Sequence, residues 1–168
     1  PYIRRPVDTN SQTLKLDKKR YQTVFASNTG AIAAPTAGLH FTRSHLASLR
    51  KKKINTANLT LHVGPGTFVP IRIENFINHQ MEEEYFELSP VNWNKITLAK
   101  KQGQNILAVG TTSTRVLETQ AFDGMIQKRV SGWCNCFIYP GWEFRNVDHL
   151  LTNFHLPKST LFLLICAF

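Results

Sequence analysis

The chain has 168 residues, 42% of them hydrophobic, which supplies a core for one domain and excludes a disordered segment. Its 20 Lys and Arg outnumber 11 Asp and Glu, and the resulting charge of +9 favours a polyanionic partner, nucleic acid ahead of a membrane surface. Three cysteines imply no disulfide framework and fit a reducing, cytoplasmic setting, no signal peptide opens the chain, and the apolar run Leu161–Phe168 is too short to span a bilayer.

Residues 1–13 are extended and polar, a linker or edge segment, and 14–168 are expected to form an α/β domain. Helix formers with spaced apolar residues predict a helix over Leu16–Ala26. Arg20, Tyr21 and Gln22 are candidate RNA contacts there, since a guanidinium holds a phosphate and an aromatic stacks a base. Lys18 and Lys19 read as a solvated helix face. Gly30–Phe41 follows, GAIAAPTAGLHF, where small residues let backbone approach a ligand and His40 stands beside Phe41. A tight turn with a satisfied core histidine is the plain alternative. Thr42 caps a helix to about Lys53, with His45 on its surface. The cluster Arg50–Lys53 at its end complements the helix dipole and is also placed to meet an RNA backbone.

Ala57–Val63 alternates as a strand and delivers His62 to the loop of Gly64 and Gly66. A glycine-rich loop after a strand is where open α/β sheets bind ligands, though neither a dinucleotide nor a Walker spacing is present. His79 and Glu84 lie close enough in sequence to form an acid–base pair, beside an acidic patch at Glu82 and Glu83. Ser89 and Pro90 start a helix that runs to about Lys101, and Gly103 ends it.

Asn105–Val109 reads as a buried strand that runs directly into GTTSTRVLE. A strand-to-helix turn aims free N–H groups and the hydroxyls of Thr111, Thr112 and Ser113 at one spot, which favours a carboxylate or phosphate. Arg115 adds a bidentate fork for that group, and Glu118 one turn on is placed to hold it. Capping by Thr112 or Ser113 is compatible with the same role. Gly124–Ser131 is a polar turn and Trp133–Tyr139 a strand, with Cys134 and Cys136 as small hydrophobes rather than metal ligands. Asp148 precedes a short strand, His155 follows it on a loop, and Ser159 caps a final apolar helix.

Alternating strands and helices favour an α/β domain with a mainly parallel sheet or barrel. The loops of His40, His62, Thr111–Arg115 and His155 would then gather at the strands' carboxyl ends. The residues alone thus point to an α/β enzyme with a basic surface, an anion pocket and histidine acid–base chemistry.

Five motifs go further together: RYQTVFA, AAPTAGLHF, TLHVGPGTF, AVGTTSTRVLE and TNFHLPKSTLFLL. In this order, over nearly the whole chain, they resemble the S-adenosylmethionine:tRNA ribosyltransferase-isomerase family of queuosine synthesis. The resemblance implies transfer of the ribosyl part of S-adenosylmethionine to 7-aminomethyl-7-deazaguanine at the tRNA wobble position. The product is epoxyqueuosine, with adenine and methionine released. S-adenosylmethionine is then a co-substrate; no prosthetic group or metal is implied, and a monomer is expected. Under this resemblance a base removes a proton beside the sulfonium, with His40, His62, His79 and Glu84 as candidates. His155 would protonate the leaving adenine. The methionine carboxylate would sit on Thr111–Ser113 and Arg115, and the target base would stack on Tyr21, Phe41 or Phe154.

The chain departs from the family at His79-Gln80-Met81-Glu82, where a second histidine is usual, and at Cys134-Asn135, where Thr-Asp is usual. Both ends read as mid-sequence. The family's inserted β-barrel domain and its C-terminal signature are expected to be missing. A catalytically inactive, basic tRNA-binding remnant is therefore the alternative, and a histidine-dependent metal hydrolase stands as a third class.

Overall fold

The computed structural model describes residues 5–7, 10–64, 76, 79–120 and 130–168. The first helix, α1 (Ser11–Arg20), starts where the Asn10 side chain accepts from the Thr13 amide at 2.8 Å. It therefore crosses the expected boundary at residues 13 and 14, and it stops short of the expected end at Ala26. The stop has a tertiary cause. Thr23 and Phe25 turn away to pack on Gly38, where an added Cβ would lie 2.8 Å from each. Propensity alone does not register that contact.

The other helices follow their local signals. Helix α2 (Arg43–Lys51) carries a reciprocal cap in which Thr42 Oγ1 accepts from the His45 amide and His45 Nδ1 accepts from the Thr42 amide. Helix α3 (Pro90–Lys101) begins with Ser89 as cap and proline in its first turn, and Gly103 follows it at φ +65°. Helix α4 (Thr111–Glu118) follows Gly110, and α5 (Thr160–Ala167) is capped by Ser159. None of the helices among the described residues is long and apolar enough to cross a membrane.

The five strands among the described residues are β1 (Leu59–His62), β2 (Glu84–Leu88), β3 (Leu107–Val109), β4 (Val130–Cys134) and β5 (His149–Leu151). Strands β1, β2 and β4 form an antiparallel sheet in the order β1-β2-β4, and β3 pairs with β5 in parallel. The α/β class holds, while the mainly parallel sheet gives way to this mixture. The reason lies in β2, which alternates buried and half-buried residues as a strand with one covered face does. The expected strand Trp133–Tyr139 is displaced to Val130–Cys134, in register with β2 through Tyr85–Trp133 and Glu84–Cys134. The expected turn at Gly124–Ser131 lies largely outside the described residues.

Inward residues of the antiparallel sheet meet α3 and α4. Leu88, Trp93, Ile96, Ala108, Leu117 and Val147 make one cluster, and Phe86, Val116 and Cys134 a second. Cys136 packs on the second cluster, and burial pushes its thiol up to about 11, so it behaves as an apolar filler.

Two polar devices fix α4 within this core. Arg115 Nη2 donates to Glu84 Oε2, and each side chain is only 2% exposed. At the other end, the Glu118 carboxylate accepts from the amides of Arg145, Asn146 and Val147 at 2.8–2.9 Å. Glu118 thus anchors the chain entering β5. It does not hold Arg115, whose carboxylate partner is Glu84, brought in from β2.

Arg115→Met should destabilise the chain by about 3–5 kcal/mol, because it leaves Glu84 buried without its cation. Replacing both residues by Met should recover most of that loss, as read by urea denaturation; a single variant within 1 kcal/mol of the parent (roughly the scale of a surface pair) would refute the assignment. Glu118→Ala should cost ~2 kcal/mol and speed hydrogen exchange at Arg145, Asn146 and Val147. Unchanged exchange there would show that the strap does not hold.

Candidate active site

The carboxyl ends of three strands converge on one cleft. Leu61 and Val63 come from β1, Val109 and Gly110 from the end of β3, and Thr152 and His155 from the loop after β5. Two backbone bonds register these pieces. The Gly110 amide donates to Leu151 O at 2.9 Å, extending the β3–β5 ladder, and the Ile32 amide donates to Val63 O at 3.1 Å, attaching the small-residue loop to β1. Ala34, Pro35, Thr36 and Ala37 close the cleft on that side, and Leu161 of α5 floors it. The open space is about 50 Å³, room for a carboxylate-sized group.

The polar end of the cleft is the start of α4. Gly110 sits at φ +98°, a conformation that disfavours any side chain, and it lets the strand turn at once into the helix. Neither Thr112 nor Ser113 caps the helix as expected; its N-cap is Gly110, which has no side chain to offer. Thr114 instead returns its hydroxyl to Gly110 O at 3.2 Å. The amides of Thr111, Thr112 and Ser113 are thereby left without a side-chain cap, and their residues line the cleft. The positive end of the helix dipole and these N–H groups make the spot suited to an anion.

The five candidate acid–base residues separate. His155 lines the cleft, with its Nε2 3.0 Å from Thr152 Oγ1, and burial pushes its imidazole below the ordinary 6.5. His40 ends the short 3-10 helix Thr36–His40, whose first residues line the cleft while His40 itself does not, and its Nε2 lies 2.6 Å from Asn153 Oδ1. His62 points the other way. Leu61 and Val63 face the cleft, so strand alternation puts His62 on the outer side, stacked on Tyr85 at 5.7 Å and covered by Gly30. His79 packs edge-on against Phe137 at 5.3 Å. Glu84 is held by Arg115, so the expected pair of His79 with Glu84 is replaced by two separate contacts.

The substrate-binding candidates divide in the same way. Thr111, Thr112 and Ser113 reach the cleft. Arg115 is buried against Glu84 and the half-buried Glu118 reaches the backbone of Arg145–Val147, so neither lines the cleft. Gly64 lies at the end of β1 with open space where a Cβ would stand, and Gly66 lies outside the described residues. Among the RNA candidates, Arg20 and Gln22 are exposed, Tyr21 and Phe41 are half-buried, and Phe154 stands fully in solvent beside His155. Packing of Thr23 and Phe25 on Gly38 brings the turn after α1 against the 3-10 helix that leads to Phe41.

Local reading of the sequence missed Asn153 and Thr152. Thr152 bonds the cleft histidine His155 and Asn153 bonds His40, and their only signal was a polar pair between a strand and a histidine.

The family described as Queuosine biosynthesis protein matches over residues 1–168. The chain is 50% identical over its full length to the S-adenosylmethionine:tRNA ribosyltransferase-isomerase of Halothermothrix orenii and 49% identical to that of Staphylococcus haemolyticus. It spans about half the length of these curated relatives, 47% in each case. A crystal structure of S-adenosylmethionine tRNA ribosyltransferase from Thermotoga maritima superposes with a TM-score of 0.61 at 39% identity, covering 78% of this chain and 40% of that one. With the family match complete and the strand-end cleft in place, the chain belongs to the queuosine biosynthesis protein family.

Proposed function

We propose that the chain carries the reaction centre for transferring and isomerising the ribosyl moiety of S-adenosylmethionine onto 7-aminomethyl-7-deazaguanine in the anticodon loop of a tRNA. The observation that carries this reading is the cleft itself, which sets an uncapped helix N-terminus next to an imidazole with a depressed pKa. The methionine carboxylate suits the amides of Thr111–Ser113. Adenine and ribose then extend along the open rim toward His40 and Phe154.

Two proton transfers are needed, and environment divides them between the two rim histidines. Burial keeps His155 neutral at pH 7, and the positive end of α4 beside it disfavours the imidazolium further. A neutral imidazole in a partly dry cleft suits the base that takes the proton beside the sulfonium. This reverses the acid role expected for His155 and gives that role to His40. The tRNA approaches from the rim, where Phe154 offers a face for stacking and the excess of cations attracts the backbone.

The chain's share of its relatives' length supports a second reading, a part that binds tRNA without completing the reaction. The two separate in one assay. The chain is mixed with S-adenosylmethionine and an anticodon stem-loop carrying 7-aminomethyl-7-deazaguanine, and adenine release is followed beside the Halothermothrix orenii relative. Release by both supports the transferase. Salt-sensitive binding without release supports the second reading, and neither binding nor release by the chain sinks both.

His155→Gln should lower adenine release by about 10²-fold or more. The pH profile gives the sign. Because the imidazole titrates below 6.5, more than half of it is still neutral at that pH. The acid limb of the rate should therefore fall below 6.5; a limb at or above it would argue against His155 as the base.

A further inference from the structure

We infer that Asn153 is a positioning residue for His40, holding its ring by Nε2 so that Nδ1 faces the substrate as the proton-delivering nitrogen. The inference rests on the reaction proposed above for its chemical consequence, and on hydrogen-bond geometry for the contact. Asn153 Oδ1 lies 2.6 Å from His40 Nε2 across 113 positions of sequence. An amide oxygen only accepts, so Nε2 must carry the hydrogen. Whichever protonation state His40 takes, this bond persists, and the variable proton resides on Nδ1.

The surroundings make the contact selective. The His40 backbone leads directly into the cap of α2, where His45 Nδ1 accepts from the Thr42 amide. On the facing loop, Thr152 bonds His155 and Asn153 bonds His40, so two adjacent residues after β5 place both imidazoles. Among the described residues, the titratable side chains that meet these two segments are His45 and His155. When adenine leaves, its C–N bond breaks with the pair kept by nitrogen. The Nδ1 proton lands there, and a lone pair of the ribose ring oxygen fills the demand left on carbon. His40 ends neutral, with Nε2–H still on Asn153.

The test joins a tautomer to a rate. In the wild-type chain and in Asn153→Ala and Asn153→Asp, the His40 ring nitrogens are followed by NMR, assigned with His40→Gln. The ring should carry its hydrogen on Nε2 in the wild-type chain and in Asn153→Asp, and Asn153→Ala should mix the two tautomers. The same tautomer mixture in all three chains would overturn the contact. Adenine release should drop about tenfold or more in kcat for Asn153→Ala, with KM for S-adenosylmethionine little changed, and Asn153→Asp should recover it. A tautomer that changes while kcat stays at the wild-type value would overturn the positioning role. Silence from the wild-type chain itself, with the tautomers as stated, would instead place the failure in the proposed reaction, because the contact would have been demonstrated without it.

Discussion

The ion pair between Glu84 and Arg115 is the constraint on which the cleft depends. It joins the middle strand of the antiparallel sheet to the helix that follows β3, and both side chains are shut away from solvent. A buried pair of this kind adds little net stability compared with well-packed apolar residues, but it tolerates few alternative geometries. Here it fixes the rotation of α4. With Arg115 directed into the core, Thr111, Thr112 and Ser113 on the first turn come to the cleft. The strap of Glu118 onto Arg145, Asn146 and Val147 fixes the far end of the same helix and sets where β5 begins. The loop bearing Thr152, Asn153 and His155 hangs from β5, so both halves of the site trace back to α4.

This arrangement explains why the sequence disclosed some features and hid others. Helices α2, α3 and α5 were legible because their caps are local: Thr42, Ser89 and Ser159 each bond an amide a few residues on. The anion spot at Thr111–Ser113 was legible because a strand-to-helix turn is a local event as well. Arg115 was misread because its partner lies 31 positions away on another element, and nearby Glu118 offered itself as the simpler mate. His62 was misread for a different reason. Its loop pointed to a site, yet the alternation of Leu61, His62 and Val63 already required the histidine to face away whenever its neighbours face in. The end of α1 hid in a contact between Phe25 and Gly38, which no periodicity records.

The size of the cleft sets how a substrate can lie. A space of about 50 Å³ accepts a carboxylate, while a methionyl chain, a ribose and an adenine together need far more. In the proposed reaction the remainder would run over the rim, past exposed His40, half-buried Asn153 and the fully exposed Phe154. An exposed aromatic beside an acid–base pair is costly to leave in water without a partner that covers it. Under the proposed function a single-stranded anticodon base would supply such a partner, with a flat face for Phe154 and a phosphate chain for the surplus cations.

In the proposed reaction, the division of labour between the two histidines follows from depth. His155 lies beside the helix N-terminus and loses hydration, and both effects oppose a positive charge on its ring. His40 lies in the open with its Nε2 against an amide oxygen. A proton acceptor at the buried end and a proton donor at the exposed end match a substrate whose carboxylate enters first and whose adenine trails toward solvent. Reversing the substrate would put the adenine against the helix amides and leave its carboxylate on the rim, where neither the dipole nor a buried N–H would meet it. In the proposed reaction the polarity of α4 would therefore orient the substrate, and the substrate's orientation in turn would decide which histidine gives a proton and which takes one.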